Sequence, residues 1–408
     1  MSTATEIITE EHQKMISDLR AVAMKHEGFS SKYDTDFNYL RWLRAYNFNV
    51  DETQTKLQRH LQFRKVLQLD TLQDTFQEDE LTRKFVPLGL IGPAGKDHKF
   101  LIIECAGRAD PQGLMKAFQG HKFLLARFKF LEMLYDRMNA EEKASGEQSG
   151  VIYILDLDGL EFDPSLLTIL SGPYHILWDR IGENYPEWVH KFIIVNVPTF
   201  MSVLWKAFFP FIPENTKDKI IVTGENWKDE VLQYVSPECL PVHWGGTLVD
   251  ENGDEKCGSK LVIPDTKIPP ELYWKPTPGE PNIDSLKELT VAAGGVTLVS
   301  YYVVDPNTTL KVFLYGEAEY TLGVYFAEDP AVEDVEQMQE LFPNCEMPGM
   351  VTMDMYQVPC EKAGTYHVRF GNEKAWFMSV LVKYQLRFED EKGEEVQAIP
   401  MNPDDLDV

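Results

Sequence analysis

The spacing of apolar residues changes twice along the chain, and each stretch predicts a different kind of structure. Residues 5–70 carry apolar side chains at helical spacing, as Phe37, Leu40 and Leu43 illustrate. The candidate N-caps of this helix and of the next one are Asp34 or Thr35 and Asp51. The first part of the chain therefore predicts a small helical bundle.

From residue 85 onward, short apolar runs alternate with longer helical segments. The runs have the length of buried strands and cover residues 100–103, 151–155, 192–197 and 220–222. One helical segment covers residues 116–138. Another begins at Asp163-Pro164, where Asp is a suitable cap and Pro suits the first helical position, and runs toward Asn184. This alternation predicts an α/β fold with a parallel or mixed sheet and helical crossovers.

From about residue 262 the pattern becomes one of short strands separated by Gly and Pro turns, which is typical of a β-sandwich. The expected strands cover residues 290–304, 309–314, 322–326, 350–358, 365–370 and 376–388. Residues 264–281 contain six prolines and predict an extended linker in front of the sandwich.

Charge narrows the range of partners. The 408 residues include 65 acidic and 39 basic side chains, which give a formal net charge of -26. This argues against nucleic-acid binding, which needs a basic surface. It also argues against tight electrostatic attachment to anionic membranes, where each basic residue contributes about 1 kcal/mol. Any membrane contact is expected to be transient or to use a local apolar patch. The acidic end after Phe388 is expected to be solvated and loosely ordered.

Cysteines and terminal sequences favour a reducing compartment. The five cysteines are widely spaced and form no Cys-x-x-Cys pair, so we expect free thiols and no zinc site. The N-terminus lacks the apolar stretch of a signal peptide, and no apolar run reaches the roughly 20 residues that span a bilayer. We therefore expect a cytoplasmic protein.

Residues 198–212 form an unusually apolar segment. Between Phe200 and Ile212, ten of thirteen residues are apolar and five of those are aromatic. Three interpretations are open: a buried core helix, an interfacial helix that dips into lipid, or a helix that covers an apolar cavity and moves at a membrane. Its position between two expected strands, where a crossover lies on a sheet face, favours the third interpretation.

Motifs around this segment resemble the CRAL-TRIO signature. Residues 185–198 (YPEWVHKFIIVNVP) combine a Tyr-Pro-Glu helix end with a strand that ends Asn-x-Pro. The other matching pieces, in the order of the family, are residues 40–45, 216–222 and 240–246. Together they cover about residues 5–248. The resemblance implies an apolar pocket that is floored by the sheet and closed by a gate segment, residues 199–212.

The resemblance also implies ligands and site residues. Some members transfer phosphatidylinositol and phosphatidylcholine, and others carry tocopherol, retinal or squalene-like lipids. The residues implied for the gate and pocket are Phe200, Val203, Leu204, Trp205, Phe208, Phe209, Phe211 and Tyr153. In phosphoinositide carriers a Glu, a Thr and a Lys hold the headgroup, and these positions correspond here to Glu187, Thr216 and Lys219. A plain structural ion pair is the alternative for Glu187 and Lys219.

Two departures from the phosphoinositide carriers bear on the ligand. Those carriers have two small hydroxyls where this chain has Val151 and Tyr153, and a Lys-Pro pair where it has Phe209-Pro210. A more neutral or wholly apolar ligand is therefore open beside phosphatidylinositol.

The C-terminal region resembles a GOLD domain. Residues 360–372 (CEKAGTYHVRFGN), followed by Trp376 and Lys383-Tyr384, carry the resemblance, while Val312 stands where many members have Trp. GOLD domains are linked to protein contacts at Golgi and secretory membranes. Combined with a CRAL-TRIO domain, the architecture resembles the tocopherol-associated, squalene-transfer-stimulating branch.

An enzymatic alternative rests on Asp156 and Asp158, which end an expected strand in the Asp-x-Asp-Gly order of Mg²⁺-dependent phosphatases. No later strand ends in the acidic pair that such a metal site needs, and the simpler interpretation is a turn in which Asp156 accepts hydrogen bonds from backbone amides. Residues 89–96 resemble a phosphate loop but are one residue too long, and we interpret them as a turn between strands.

These observations predict a soluble, non-enzymatic carrier or sensor of a hydrophobic lipid, with no cofactor and no metal. The alternative is a lipid-regulated adaptor, in which the GOLD-like region recruits a protein partner. The expected location is the cytoplasm, with peripheral association at the Golgi or other endomembranes. The expected divisions are a helical module (1–75), a CRAL-TRIO domain (76–260), a linker (261–281), a GOLD-like sandwich (282–390) and an acidic tail (391–408).

Overall fold

A computed structural model describes residues 8–163, 165–201, 205, 214–332 and 334–401. The first three helices form the expected bundle, and their apolar faces meet in a common core around Leu19, Leu43 and Leu61. They are α1 (Glu10–Ala23), α2 (Asp36–Ala45) and α3 (Val50–Val66).

The N-caps of this bundle confirm one prediction and correct another. The Thr35 hydroxyl accepts a hydrogen bond from the backbone N–H of Asn38 at 3.2 Å, so Thr35 caps α2 as expected. The cap of α3 is Asn49, two residues before Asp51. Asp51 instead lies in the first turn, where a carboxylate interacts favourably with the helix dipole.

A five-stranded mixed sheet follows, in the order β1-β2-β3-β4-β5. Strand β1 is antiparallel to β2, and the other neighbours are parallel. The strands are β1 (Leu88–Pro93), β2 (Lys99–Glu104), β3 (Gly150–Asp156), β4 (Val189–Val195) and β5 (Ile220–Val222). The expected α/β class is thereby confirmed. The expected turn over residues 89–96 is wrong in its first half, because residues 89–93 belong to β1.

Further helices precede, connect and follow the strands of this sheet. Two of them differ from expectation: the segment 116–138 is divided between α6 and α7, and the segment from 163 to 184 is interrupted by a π-helical stretch at Leu170–Tyr174. Pro173 and the non-helical backbone of Gly172 account for that interruption. The helices are α4 (Leu72–Thr75), α5 (Glu80–Phe85), α6 (Pro111–Ala117), α7 (Gly120–Ser145), α8 (Ser165–Ile169), α9 (His175–Asn184), α10 (Glu214–Lys217) and α11 (Trp227–Val231).

The two faces of this sheet are covered by different parts of the chain. One face, which we call the α11 face, packs on Val231 of α11 and on Leu240 and Trp244, and its strand residues include Ile154 and Ile193. The other, the α7 face, packs on α7 and α9. Alternation of side chains along each strand separates the two sets.

The C-terminal region is a sandwich of two antiparallel sheets, as expected. One sheet has the order β10-β9-β12-β7-β15; the other has the order β11-β8-β13-β14, with β6 also paired to β13. The strands are β6 (Lys287–Val291), β7 (Val296–Val303), β8 (Thr308–Gly316), β9 (Tyr320–Ala327), β10 (Gln339–Met347), β11 (Met350–Cys360), β12 (Gly364–Gly371), β13 (Val380–Glu389), β14 (Glu395–Val396) and β15 (Ile399–Pro400).

Three expectations about the sandwich are corrected. Strand β10 was not predicted, because Pro343 interrupts its pattern, and its pairing with β9 shifts register on either side of Phe342. Residues 376–379 were expected to start a strand and instead lie in the loop before β13. The tail is not loosely ordered throughout, because β14 pairs with β13 and β15 pairs with β7.

The sandwich is joined to the helical bundle by a shared apolar core. Phe63 of α3 is 1% exposed and belongs to the core cluster of the sandwich, where its ring lies 5.8 Å from that of Phe342 in an edge-on arrangement. Beside it, the Gln62 side chain donates to the carbonyl of Leu341 at 2.7 Å.

A second set of contacts joins β11 to the start of α7. The carboxylate of Asp354 accepts from the backbone N–H of His121 at 3.0 Å, and the His121 ring lies at the same distance. The Gln119 amide donates to the carbonyl of Met353 at 2.7 Å. Because these groups are buried, each bond prevents an unsatisfied polar atom at the junction.

Two chemical features complete the description. All five cysteines are free thiols. Among the described residues, no helix combines the length and the apolar character that crossing a membrane requires.

Replacing Phe63 with Ala should destabilise the helical bundle and the sandwich together. We expect a loss of about 3–5 kcal/mol in the free energy of unfolding, since the change leaves a cavity in a packed core. Chemical denaturation measures it. The control is Phe377→Ala, at a ring that is 92% exposed, where we expect a change within about 0.5 kcal/mol. Equal effects of the two variants would contradict the shared core.

Candidate functional site

An aromatic cluster lies on the α7 face of the sheet. The ring of Tyr153 on β3 stacks on Phe192 of β4, with centroids 4.9 Å apart. Trp178 of α9 and Trp188, just before β4, meet Tyr153 edge-on at 6.4 and 6.0 Å. The strand alternation places Tyr153 and Phe192 on the same face, and α9 covers them from above.

Burial of this face falls toward β5. The register pairs Phe192 with Ile220 and Ile194 with Val222, so all four side chains belong to the α7 face. Phe192 and Ile220 are partly buried, and Val222 is 49% exposed. On the opposite face Ile193 is fully buried. The α7 face therefore presents an apolar surface that grows more open toward the β5 edge.

A buried polar group interrupts the apolar residues of this face. The hydroxyl of Tyr153 donates to one carboxylate oxygen of Glu104, and the guanidinium of Arg127 lies 3.4 Å from the other. Burial, and secondarily the negative charge of Glu104, raise the pKa of Tyr153 well above its usual value, so the phenol stays protonated and donates. Burial is the largest influence on the pKa of Arg127 and lowers it, but the charge of Glu104, the nearby tyrosines and the hydrogen bond to Glu104 together make the net shift upward.

The three residues implied for a headgroup come together at the edge where β4 and β5 begin. The ammonium of Lys219 lies 2.7 Å from a carboxylate oxygen of Glu187, and the side chains are 22% and 15% exposed. The carbonyl of Thr216 accepts from the backbone N–H of Lys219 at 3.0 Å. The Glu187 backbone has a φ of 57°, an uncommon conformation for this residue type, which turns the chain into β4.

Two further residues interact electrostatically with this pair, and neither was predicted to belong to the site. Burial lowers the pKa of Arg44 on α2, and the nearby charge of Glu187 opposes that shift. Burial, followed by neighbouring cations that include Lys219, lowers the pKa of His190 to about 4. His190 is therefore neutral at neutral pH. Arg44 is within the motif that residues 40–45 supply, but its spacing to Glu187 could not be read from the sequence.

The gate segment is described only in part. Phe200 meets the ring of Phe162 edge-on at 5.5 Å, and Phe162 is 57% exposed. Trp205 is partly buried. The other predicted gate residues lie outside the described residues: Val203, Leu204, Phe208, Phe209 and Phe211.

Asp156 has a structural role that accounts for its burial. One of its carboxylate oxygens accepts from the backbone N–H of Asp158 at 2.9 Å and from the side chain of Asn196 at 2.8 Å. The other accepts from the indole N–H of Trp244 at 2.9 Å. Both oxygens are thus engaged. The turn interpretation predicted a bond from a backbone amide, which Asp158 supplies, but not the two side-chain donors. Asp158 points outward and pairs with Arg108.

A separate cavity lies where the helical bundle meets α7. Its volume is about 30 Å³, and its lining includes Tyr33, Arg41, His60 and Arg64. Small-molecule pockets typically enclose about 300–1,000 Å³. This cavity is therefore too small for a lipid.

Asp156→Asn should destabilise the fold. An amide offers one acceptor oxygen where two oxygens now face N–H donors, so we expect a loss of about 1–3 kcal/mol. Asp158→Asn, at an exposed ion pair, should cost less than about 1 kcal/mol. Chemical denaturation of both variants checks this. A stable Asp156→Asn protein that loses a Mg²⁺-dependent phosphatase activity of the parent would contradict the structural role.

Two family models match the chain. Residues 87–246 match the model described as CRAL/TRIO domain, and residues 272–397 match the model described as F28H7_8_C:-like, C-terminal domain. The first covers the whole mixed sheet and its helical crossovers, and the second covers most of the sandwich.

Relatives extend these matches. The chain is 34% identical over 377 residues to CRAL-TRIO domain-containing protein F28H7.8 of Caenorhabditis elegans, across 91% of this chain and 89% of the relative. It is 30% identical over 248 residues to SEC14 cytosolic factor of Eremothecium gossypii, across 59% and 77% of the two chains. A solved structure titled Crystal structure of Sfh5 is 15% identical, with a TM-score of 0.48, and covers 64% of this chain and 95% of that one. The chain therefore belongs to the CRAL-TRIO family, whose members bind lipids.

Proposed function

We propose that this protein is a soluble carrier or sensor of a hydrophobic lipid, which lies on the α7 face of the sheet. The observation that carries the proposal is the incompletely covered apolar surface near β5, where Phe192 and Ile220 are only partly buried and Val222 is exposed. Parallel strands are normally buried on both faces. An apolar ligand on this surface would complete the burial that the described side chains leave unfinished.

The connection between β4 and β5 supports a gate at this place. Crossovers between parallel strands are right-handed, so successive crossovers between sequential neighbours pass over the same face. The two preceding crossovers contain α7 and α9, and both cover the α7 face. The same rule predicts that the connection containing the gate segment, residues 199–212, also passes over this face and covers the ligand.

The chemistry of the ligand has two candidates. Lys219 and Thr216 could bind a phosphate, which favours phosphatidylinositol. The group formed by Glu104, Arg127 and Tyr153 favours a neutral lipid, such as a tocopherol or an isoprenoid-like molecule, because its polar atoms satisfy one another. An apolar ligand can then lie beside it without leaving a buried charge unpaired.

The sandwich completes the proposal. We propose that it is a GOLD-type domain that contacts protein partners at the Golgi or other endomembranes, and that the architecture is that of the tocopherol-associated branch.

A lipid-regulated adaptor is the second candidate, supported by the polar and apolar contacts that tie β10 and β11 to α3 and α7. These contacts would let lipid occupancy affect the sandwich. We propose no catalytic role.

Val222→Asp should lower lipid occupancy at little cost in stability. The side chain is half exposed without ligand, but a carboxylate there would be buried under an apolar ligand. We expect the parent, purified from cells, to contain about one lipid per chain, and the variant several-fold less. Solvent extraction and mass spectrometry measure the content and name the lipid.

The control for this comparison is Val249→Asp, at a valine that is 45% exposed outside the sheet. It should keep the lipid content of the parent. A parent protein without lipid, or equal losses in both variants, would contradict the proposal.

Lys219→Ala separates a headgroup site from a structural ion pair. If Lys219 binds phosphate, the variant should lose phosphatidylinositol uptake from vesicles by roughly tenfold, which corresponds to about 1.4 kcal/mol. Its stability should fall by no more than about 1 kcal/mol, as for other partly exposed pairs. Lys311→Ala is the matched control, since Lys311 pairs with Glu389 at 2.5 Å in the sandwich.

The two readouts decide between the interpretations. Unchanged phosphatidylinositol uptake in Lys219→Ala, together with a small loss of stability, would make the pair purely structural. Transfer of a bound lipid between vesicles would favour the carrier over the adaptor.

A further inference from the structure

Three consecutive apolar side chains project from the loop between β12 and β13. Trp376, Phe377 and Met378 are 86%, 92% and 78% exposed. Exposed apolar residues usually occur singly on the surface of a protein, and a contiguous group marks an interaction site. The sequence pattern predicted that these residues would begin a strand, so their exposure is a feature of the folded structure alone.

The base of this loop is fixed at both ends. Asn372 is buried, its backbone N–H donates to the carbonyl of Gly295 at 2.9 Å, and its carbonyl accepts from Gly294 at 3.0 Å. Its side-chain amide donates to the carbonyls of Val291 and Met378, at 3.3 and 2.9 Å. These bonds tie the loop to the β6–β7 turn and hold the three side chains away from the sandwich core.

The charges of the loop are balanced locally. Lys374 pairs with Glu346 of β10, and Glu373 pairs with Arg369 of β12. Glu373 also accepts from the Thr321 hydroxyl at 2.9 Å. The apolar tip therefore carries no excess positive charge that could attract an anionic surface.

The loop lies on the side of the sandwich that faces α9. Glu346, the partner of Lys374, also accepts a hydrogen bond at its backbone carbonyl from Arg180 of α9. On the same side, the Glu319 side chain approaches the backbone of Gly172, just before α9. The helix α9 belongs to the crossover between β3 and β4 and covers the α7 face. The apolar tip is therefore close to the helix that packs on the face of the proposed lipid site.

We propose that Trp376, Phe377 and Met378 form a membrane anchor that inserts into the interface of a zwitterionic bilayer. Trp and Phe suit the boundary between headgroups and acyl chains. The tip exposes on the order of 500 Å², less than the roughly 800 Å² per partner of a stable protein interface. The balanced charges of the loop and the net charge of -26 favour a neutral surface over an anionic one. This anchor extends the proposed lipid carriage but does not depend on it.

Flotation with phosphatidylcholine vesicles tests the anchor on the full-length protein. The variant Trp376→Ser/Phe377→Ser/Met378→Ser should bind the vesicles at least about tenfold more weakly, because the three side chains provide the buried apolar surface. Adding phosphatidylserine, or raising the salt concentration, should not change binding by the parent more than about twofold. The matched control is Met24→Ser/Val304→Ser, which removes two apolar side chains that are 59% and 61% exposed. Val304 follows β7, at the opposite end of the sandwich from the loop.

A second variant detects insertion directly. Brominated phosphatidylcholine should quench part of the tryptophan fluorescence of the parent, and Trp376→Phe should remove that part while vesicle binding stays within about threefold. Thermal melting of each variant confirms folding, and because the three side chains are largely exposed we expect unchanged melting temperatures.

Several results would overturn the anchor. The triple-serine variant could float as well as the parent, the parent could fail to bind neutral vesicles, or the parent could form a dimer that the triple variant does not. Lipid content is measured separately from vesicle binding. A lipid-loaded protein without an anchor would therefore refute this inference alone, and an anchored protein that carries no lipid would refute the proposed function alone.

Discussion

The structure depends on one constraint, which is that the parallel strands β2 to β5 must be covered on both faces. On the α11 face this is achieved with residues such as Ile154 and Ile193, which are fully buried. On the α7 face, α7 and α9 cover β2 and β3, but the cover declines toward Val222. Parallel sheets rarely leave such a surface to water. A lipid and the segment that covers it are the simplest way to satisfy the constraint, and the whole functional account follows from it.

The sandwich is part of this arrangement because it shares a core with the helical bundle. Phe63 lies among the sandwich side chains, and Asp354 binds the first turn of α7. The sandwich therefore contacts α7, one of the helices that cover the α7 face. The same packing orients the β12–β13 loop beside α9, so the proposed anchor and the proposed lipid site are on neighbouring surfaces. A carrier that exchanges lipid with a bilayer needs this proximity.

Much of the fold could be predicted because strand-length apolar runs alternate with helices, which leaves few topologies. Strand β10 could not be predicted, because Pro343 interrupts its apolar pattern. Only its pairing with β9 in the folded structure identifies it as a strand. The run from Trp376 was interpreted as a strand because it is apolar. The sequence shows that these residues are apolar but not whether the fold buries them. At the site, the family motifs indicated that Glu187 and Lys219 belong together although they are 32 positions apart in the sequence. In the structure the Lys219 ammonium lies 2.7 Å from a carboxylate oxygen of Glu187. No motif indicated Glu104, because a single acid at the end of a strand has meaning only when its neighbours in the fold are known.

The central claim is that lipid lies on the α7 face near β5. Cross-linking with a lipid that carries a photoreactive group in its acyl or isoprenoid chain, followed by peptide mapping, tests it most directly. The account predicts adducts on β4, on β5 and on the gate segment, residues 199–212, and predicts that Val222→Asp reduces them several-fold. Adducts confined to the helical bundle or to the sandwich, with none on β4 or β5, would contradict it.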